Sequence, residues 1–312
     1  MAEKVLLKGN EAIAEAAILS GCRFFFGYPI TPQTEISAYM AKRMPKIGGV
    51  FLQAESEISA CNMVYGAVSA GARAMTSSSS PGISLKAEAI SYIAGADLPA
   101  VVVNIVRAGP GLGGIQPAQS DYNQATKGLG HGDYKMIVLA PSSVQEIINL
   151  TAEAFDLADL YRMPVMLMGD GMLGQMMEPV TFELPKGREL PEKTWATTGT
   201  QMKRPHNIIN SLYIKPNDLE QIVLERNKKY QLIEETEAKA ESYRMEDADY
   251  MITAYGSTAR IAKNAIDELR EQGIKVGLVR PITLWPFPDK EYKKYVGQVK
   301  AILSVEMSLG QM

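Results

Sequence analysis

Two polar stretches near the N-terminus contain side chains suited to binding a small anion. Residues 27–35 read Gly-Tyr-Pro-Ile-Thr-Pro-Gln-Thr-Glu, and residues 53–57 read Gln-Ala-Glu-Ser-Glu. Thr31 before Pro32 predicts the N-cap and the first residue of a helix. The unpaired N–H groups and partial positive charge of a helix N-terminus suit a carboxylate substrate. Thr31 is therefore a candidate binding residue.

Two acids, Glu55 and Glu57, lie where the next helix is predicted to begin. The helix dipole favours acids at such a position by ~0.3–1 kcal/mol, so a purely structural role is open for either. Because they are two residues apart, they do not share a helix face. We expect one to point inward, where it could do chemistry, and the other to face solvent or cap the helix.

Further polar groups follow predicted strands at the sheet edge where α/β proteins bind ligands. Arg107 ends the strand Ala100–Val106, whose valines indicate a buried position in the sheet. Its guanidinium either faces the ligand edge or forms a surface salt bridge. Residues 77–82 read Ser-Ser-Ser-Ser-Pro-Gly, a strand-to-helix turn. Either this turn holds an anion with its free N–H groups, or Ser80 only caps the helix that Pro81 starts.

A glycine-rich segment at residues 109–114 fits the G-x-G-x-x-G pattern of dinucleotide-binding folds. Pro110 and Pro117 interrupt the helix that such a fold requires. The pattern therefore favours a mobile glycine loop near a ligand over NAD binding.

No metal site is predicted in this chain. The sequence Gly169-Asp170-Gly171 is similar to the start of the metal-binding motif of thiamine-diphosphate enzymes, but no asparagine follows at the required distance. Asp170 is instead expected to cap a turn at a strand end. The two histidines, His131 and His206, are too far apart in sequence to indicate a metal site or a nucleophilic triad.

Strand and helix patterns alternate from Asn10 to Gly171, which predicts an α/β fold with a parallel sheet and flanking helices. Helix ends are predicted at Gly21 and Gly71. Helix starts are predicted at Asn10, Thr31, Ser80 and Ser142, the last with Gln145 in capping-box spacing. The strands are predicted at residues 23–26, 50–53, 72–76, 100–106, 136–139 and 165–168.

The sequence predicts two domains. Residues 1–245 form the first, which includes a proline-rich excursion at 171–217 and a highly charged helix at 217–245 that bridges the domains in solvent. Residues 246–312 restart the β/α alternation as a smaller domain. Because the sequence stops directly after a strand, we expect this second domain to be incomplete and the chain to be truncated.

Composition excludes several classes of function. With 312 residues, 46% of them hydrophobic, the chain can fill the cores of two ordinary domains. A net charge of -3 gives no support for nucleic acid or a membrane surface as partner. No segment reaches the ~18 apolar residues of a membrane span and no signal peptide is recognisable, so a cytoplasmic protein is expected. Cys22 and Cys61 are too few for an iron–sulfur cluster and are expected to be small buried hydrophobes.

Five motifs in order, with two more in the second domain, give the chain a family resemblance over essentially its whole length. It resembles the α subunit of 2-oxoacid:ferredoxin oxidoreductases, most closely the branched-chain (2-oxoisovalerate) branch. The 2-oxoglutarate and pyruvate branches are the alternatives within the family, and a non-catalytic regulatory module with the same fold is the alternative outside it. The motifs lie at residues 27–32, 53–58, 76–82, 107–111, 119–122, 255–257 and 280–286.

The resemblance implies a pyrimidine-binding domain of the thiamine-diphosphate type, followed by a domain like the C-terminal domain of transketolase. Thiamine diphosphate is then shared with a β subunit that binds the diphosphate and Mg²⁺. Iron–sulfur clusters belong to partner subunits, and coenzyme A and ferredoxin take the acyl group and the electrons of a decarboxylated 2-oxoacid.

Site residues also follow from the resemblance. Glu57, by its spacing before Val64-Tyr65-Gly66-Ala67, matches the glutamate that activates the pyrimidine ring of the cofactor. Thr31 and Arg107 match positions that hold the substrate carboxylate, Arg107 through a bidentate contact. The remaining cofactor-binding residues implied are Pro29, Ile30, Ser79 and Ser80.

Overall fold

A mainly parallel sheet of seven strands forms the centre of the chain, as seen in a computed structural model that describes residues 4–312. Within that range the strands are β1 (Val5–Lys8), β2 (Phe24–Gly27), β3 (Val50–Gln53), β4 (Ala74–Ser78), β5 (Ala100–Val106), β6 (Ile137–Leu139), β7 (Pro164–Asp170), β8 (Met177–Val180), β9 (Ala240–Tyr243), β10 (Tyr250–Thr253), β11 (Val276–Pro281), β12 (Thr283–Trp285) and β13 (Ala301–Ser304).

Helices alternate with these strands, as the sequence pattern predicts. Within residues 4–312 the helices are α1 (Gly9–Leu19), α2 (Thr34–Arg43), α3 (Glu57–Ser69), α4 (Pro81–Gly95), α5 (Tyr122–Thr126), α6 (Val144–Tyr161), α7 (Gly171–Gln175), α8 (Pro216–Thr236), α9 (Gly256–Glu271) and α10 (Asp289–Lys293), with a 3-10 helix at Met44–Ile47.

The large sheet has the strand order β12-β6-β7-β5-β4-β2-β3 and is parallel except at β12. All seven residues of β5 and of β7 are buried, because helices cover both faces of the sheet. The α/β prediction is thus confirmed. The register also brings the carboxyl ends of β2, β3, β4 and β5 to one edge, where parallel sheets bind ligands.

A second sheet, of order β13-β10-β11-β9, follows in the last third of the chain. Arg280 lies in its strand β11, next to the last residue, and the buried Arg280 guanidinium donates to Glu146 Oε1 at 2.6 Å and to Glu241 Oε2 at 2.8 Å. Because Glu146 lies in α6, this pair of contacts fastens the second sheet to the first. The predicted domain division at residue 245 stays a prediction.

Two of the predicted helix starts, at Asn10 and Thr31, differ from those in the structure. Helix α1 begins at Gly9, and the Asn10 amide donates to Pro32 O at 2.7 Å instead of capping. The Pro32 carbonyl is therefore occupied by a side chain, and α2 begins only at Thr34, after Gln33. Thr31 lies in the turn before the helix and is not its N-cap.

The predicted capping box at Ser142 and Gln145 is displaced by one residue. The N-cap of α6 is Ser143, whose Oγ accepts from Glu146 N at 3.1 Å. Gln145 instead binds the main chain of Thr181, which donates to Gln145 Oε1 at 2.9 Å. A long-range contact thus replaces the local one.

The charged helix predicted at 217–245 is shorter and less solvated than expected. Helix α8 ends at Thr236, and residues 240–243 form β9. Arg226 and Lys229 both bind Asp97, each at 2.9 Å, and Tyr230 is buried. The helix therefore packs on the large sheet domain along one face, while most of its residues stay exposed or half-buried.

Other local predictions are confirmed. Each predicted strand has a counterpart, and Gly21 (φ 86°) and Gly71 (φ 84°) follow the ends of α1 and α3 in left-handed conformation. Cys22 and Cys61 are both buried free thiols.

Candidate functional site

An open cleft of about 490 Å³ lies at the carboxyl edge of the large sheet. The structure brings Thr31, Glu57 and Arg107 together in it, although they are far apart in sequence. Three successive strand ends and the loop after β5 supply its walls. The lining residues are Tyr28, Pro29, Ile30, Thr31, Thr34, Glu57, Pro81, Gly82, Leu85, Arg107 and Leu112.

The two acids of the sequence pair have different environments. Ser56 caps α3 by accepting from Ser59 N at 3.2 Å, which places Glu57 as the first helical residue. Glu57 is only 6% exposed and lines the cleft, and within residues 4–312 no protein group donates a hydrogen bond to its carboxylate. Glu55 is exposed and accepts from the Ser59 hydroxyl at 3.1 Å. The cleft therefore contains one acid of the two, with its acceptor oxygens free for a ligand.

Arg107 is buried without a counter-ion. It is 6% exposed, and within residues 4–312 no carboxylate lies within 4.0 Å of its guanidinium, so it forms no surface salt bridge. Its terminal nitrogens donate to Thr31 O at 2.9 Å and Leu112 O at 3.0 Å, while its Nε has no partner. Three of its five N–H groups therefore remain for an anion.

Thr31 contributes to the site without capping a helix. Its carbonyl fixes Arg107, and its side chain lies on the cleft wall beside Thr34. The turn around it is held by Gln33, which is buried, donates to Tyr28 O at 3.2 Å and accepts from Ser77 Oγ at 2.5 Å. The turn that contains Thr31 is therefore held by Ser77 of β4 and by Arg107, which follows β5.

The four serines at residues 77–80 lie next to the cleft without lining it. The Ser80 hydroxyl lies 3.1 Å from both the main-chain N and the main-chain O of Arg107, so it fixes Arg107 and does not cap α4. The hydroxyls of Ser78 and Ser79 are buried and have no partner in the described part of the chain. Neither Ser79 nor Ser80 lines the cleft. Their predicted contact with a cofactor stays a prediction.

The backbone conformation of the loop after β5 explains two of its glycines. Ala108 N donates to Gln116 O at 3.0 Å, and Gly114 N donates to Ala108 O at 2.9 Å, which closes the loop on itself. Gly111 (φ 69°) and Gly113 (φ 59°) take left-handed conformations that glycine adopts without strain. The loop carries Leu112, which is 81% exposed, to the mouth of the cleft.

Asp170 caps a turn, as predicted. Its Oδ1 accepts from Met172 N at 2.8 Å and from Leu173 N at 3.2 Å, and its Oδ2 accepts from Ser257 Oγ at 2.5 Å. Burial raises the pKa of Asp170 above its ordinary value despite these donors. Both of its oxygens are thus used within the protein.

Two residues near Glu57 were missed by sequence reasoning. Gly82 lies so close to Glu57 that a Cβ at its position would come within 2.7 Å of Glu57 Oε1, and closer still to Ser78 Oγ. Lys86 is fully buried, and its Nζ donates to Thr76 Oγ1 at 3.0 Å and to the Glu57 main-chain O at 3.3 Å. The available signal was a lone lysine in the apolar part of α4, four residues after a glycine.

The part of the chain that the structure describes contains neither a membrane-spanning helix nor a cluster of metal ligands. None of the helices within residues 4–312 is long and apolar enough to cross a membrane. In that same range no group of three or more His, Cys, Asp and Glu side chains is placed to hold a metal ion.

Comparisons with known proteins agree on one family. The model described as "Pyruvate flavodoxin/ferredoxin oxidoreductase, thiamine diP-bdg" matches residues 15–251, and "Pyruvate:ferredoxin oxidoreductase core domain II" matches residues 248–312. A ketoisovalerate oxidoreductase subunit VorB from Methanothermobacter marburgensis is 49% identical over 98% of this chain and 87% of its own length. A 2-oxoglutarate synthase subunit KorA from Methanothermobacter thermautotrophicus is 37% identical, over 100% of this chain and 90% of its own length.

A solved structure has the same fold. The 2-oxoglutarate:ferredoxin oxidoreductase from Magnetococcus marinus, solved with 2-oxoglutarate, coenzyme A and succinyl-CoA bound, superposes with a TM-score of 0.88 at 31% identity. The match covers 98% of this chain and 58% of the solved chain.

Proposed function

We propose which substrate this chain acts on and which part of the catalytic site it supplies. The chain belongs to the pyruvate flavodoxin/ferredoxin oxidoreductase family and is a subunit of a 2-oxoacid:ferredoxin oxidoreductase. The proposed reaction is the oxidative decarboxylation of a branched-chain 2-oxoacid, 2-oxoisovalerate, to an acyl-CoA and CO₂, with the electrons passed to ferredoxin. The chain supplies the pyrimidine side of a shared thiamine diphosphate site. It acts together with partner subunits in the cytoplasm.

The observation that carries this proposal is the uncompensated charge of Arg107. A buried guanidinium without a counter-ion is costly, and a bound carboxylate would neutralise it. The free N–H groups of Arg107 offer the fork geometry that matches a carboxylate. Thr31 and Arg107 would thus hold the carboxylate of a 2-oxoacid in the cleft that Glu57 also lines.

The residues present fit thiamine diphosphate on three observations. Within residues 4–312 the Glu57 carboxylate has free acceptor oxygens, two buried serine hydroxyls lack partners, and Gly82, which has no side chain, lets the Glu57 carboxylate lie against α4. Glu57, Pro29 and Ile30 would hold the pyrimidine ring, with Ser79 and Ser80 as further predicted contacts. When bound, thiamine diphosphate supplies the carbon nucleophile that a 2-oxoacid decarboxylase requires.

Glu57 has a defined task in this arrangement. With thiamine diphosphate bound, the Glu57 carboxylate would hold a proton at the ring nitrogen N1′ of the pyrimidine, the general acid–base role that the family resemblance implies. Its low exposure keeps water from competing for that contact. Glu55 takes no part, because it faces solvent.

The partner subunits are proposed to bind the diphosphate, Mg²⁺ and the iron–sulfur clusters. Asp170 is the residue of this chain most similar to a Mg²⁺-binding aspartate, but both of its oxygens are used by α7 and by Ser257. Coenzyme A is proposed as the acyl acceptor, in keeping with its presence in the solved relative from Magnetococcus marinus.

The cleft itself supports the branched-chain branch. Among the described residues that line it, Arg107 is the cation, and Ile30, Leu85 and Leu112 give an apolar wall. A 2-oxoglutarate enzyme needs a further cation for the second carboxylate of its substrate. The 49% identity to the VorB subunit, against 37% to the KorA subunit, points in the same direction.

A panel of 2-oxoacids tests the proposal. The chain, purified with its partner subunits, is expected to catalyse thiamine-dependent reduction of a viologen dye. The kcat/KM should be at least about 10-fold higher for 2-oxoisovalerate than for pyruvate, because its side chain has two more apolar carbons and each contributes ~1–3 kcal/mol in a fitting pocket. A preference for 2-oxoglutarate would support the alternative branch, and no reduction with any acid would support a non-catalytic module.

Replacing Gly82 with alanine is expected to weaken thiamine diphosphate binding and lower turnover by about 10-fold or more, since the new Cβ displaces the Glu57 carboxylate. Alanine is the better helix former by ~1 kcal/mol, so loss of the helix would not account for this result. Calorimetric titration of the cofactor and a dye assay measure both effects. Gly66→Ala is the matched control, because nothing lies within 4 Å of a Cβ there, and it should leave both values unchanged.

A further inference from the structure

Lys86 is a buried cation without a partner of opposite charge. It lies in α4 at 0% exposure, and within residues 4–312 no carboxylate oxygen is within 4.0 Å of its Nζ. The groups that face it are Glu57 and Cys61 from α3 and Thr76 from β4. Burial raises the pKa of the Cys61 thiol to about 11, so this neighbour is neutral near pH 7. A lysine placed in this way costs stability, and packing alone does not explain it.

The position of Lys86 relative to Gly82 follows from helix geometry. The two residues are four apart in α4 and lie on one face of the helix. Gly82 lies against the Glu57 carboxylate, and Lys86 donates to the Glu57 main-chain carbonyl at 3.3 Å. Two residues on one face of α4 therefore contact Glu57: Gly82 lies at its carboxylate and Lys86 at its main-chain carbonyl.

Strand β4 completes the same support. Thr76 and Ser78 are two apart and point to one face of the strand. Thr76 Oγ1 lies 3.0 Å from Lys86 Nζ, and Ser78 Oγ is a near neighbour of Gly82. The ammonium is thus held between the strand and the first residue of α3.

The first turn of α3 needs such a fixed point. Glu57 is the first residue of the helix, and the Ser56 hydroxyl reaches Ser59 N but not Glu57. A hydrogen bond to the Glu57 carbonyl fixes the main chain from which the side chain projects. A catalytic group held in this way keeps its geometry, and a 1 Å displacement can cost about 100-fold in rate.

We propose that Lys86 is a positioning residue for the cofactor acid: its ammonium fixes the main chain at Glu57 so that the carboxylate meets the pyrimidine ring of thiamine diphosphate. This inference rests on the proposed function, since it assigns Glu57 its ligand. Lys86 itself does not line the cleft and touches neither substrate nor cofactor.

The test compares Lys86→Met, Lys86→Gln, Glu57→Gln and Ser91→Ala in the complex purified with its partner subunits. Ser91 is the matched control, a buried polar residue of α4 that bonds Ala87 O away from the cleft. Three quantities are measured: the Kd of thiamine diphosphate by calorimetry, the hydrogen–deuterium exchange rate at C2 of the bound cofactor by quenched NMR, and the Tm of the complex.

Lys86→Met is expected to slow C2 exchange by about 10- to 100-fold at saturating cofactor, because the Glu57 main chain is released. Lys86→Gln keeps an N–H donor and should recover part of that rate. Ser91→Ala should lower Tm and leave the exchange rate at the wild-type value.

The outcomes separate the two proposals. Slow exchange in Glu57→Gln with wild-type exchange in both Lys86 variants overturns the positioning role and leaves the proposed function standing. Wild-type exchange in Glu57→Gln overturns the proposed function itself. If neither Lys86 variant assembles, Lys86 is a structural residue and the positioning role is overturned.

Discussion

Replacing Glu57 with glutamine is expected to lower the turnover number of the assembled complex by about 10²–10⁴-fold, the usual contribution of a positioned acid or base. Glutamine keeps the size of the side chain but cannot hold a proton at the pyrimidine ring nitrogen. Because the Glu57 carboxylate makes no hydrogen bond to residues 4–312, the substitution should leave folding and assembly unchanged. The measurement is the rate of viologen reduction with saturating 2-oxoacid and thiamine diphosphate.

Glu55→Gln is the matched control for that experiment. It makes the same chemical change two residues earlier in sequence, at an exposed position outside the cleft. Its turnover should stay within about 2-fold of wild type, as expected of a surface substitution. Near-normal turnover in Glu57→Gln, or equal losses in both variants, would contradict the role given to Glu57.

Replacing Arg107 with methionine is expected to lower kcat/KM for the 2-oxoacid by about 10²–10⁴-fold, since two hydrogen bonds to a charged group contribute ~1.5–3 kcal/mol each. Arg107→Lys keeps the charge but not the planar fork, so it should recover only part of the loss. The Kd of thiamine diphosphate should change little in both variants, because Arg107 is assigned to the substrate. Steady-state kinetics and cofactor titration separate the two effects.

Arg162→Met serves as the control for arginine removal. Arg162 follows α6, donates to Asp97 O at 3.0 Å and does not line the cleft. It should change Tm but not kcat/KM. An Arg107→Met variant with normal kcat/KM would show that the substrate carboxylate binds elsewhere.

The parts of the site that could be predicted from the sequence are those fixed by strand ends. The apolar runs of β2, β3 and β5 predicted their positions, so Thr31, Glu57 and Arg107 were expected at the same edge of the sheet. The separation of Glu55 from Glu57 followed from helix geometry, and the structure agrees, with Glu57 buried and Glu55 exposed. These features depend on local periodicity and on the rule that parallel strands align their ends.

The parts that could not be predicted depend on contacts between distant residues. Thr31 is not an N-cap because α2 begins only at Thr34, and the turn that contains Thr31 is held by distant groups such as the Asn10 amide, which donates to Pro32 O from 22 residues away. Helix α8 is held against the large sheet domain along one face because Asp97, more than 125 residues earlier, pairs with Arg226. Local capping signals do not report such partners, since a side chain from another element competes for the same main-chain group.

The burial of Lys86 could not be predicted from the sequence either. Its type predicts an exposed residue, since lysine is almost never fully buried unless it is paired. The structure buries it beneath Glu57, where it contacts main chain and a hydroxyl. Residues that depart from such burial preferences are expected mainly at functional sites, and Lys86 lies next to the acid of the cleft.

The roles proposed for Glu57 and Arg107 are tested most sharply by an experimental structure of the complete complex with thiamine diphosphate and 2-oxoisovalerate bound. If Glu57 and Arg107 have the proposed roles, the Glu57 carboxylate lies about 2.7–2.9 Å from the pyrimidine N1′. The substrate carboxylate then lies at a similar distance from the Arg107 guanidinium. A cofactor whose pyrimidine ring lies outside the cleft between Glu57 and Arg107 would contradict these roles.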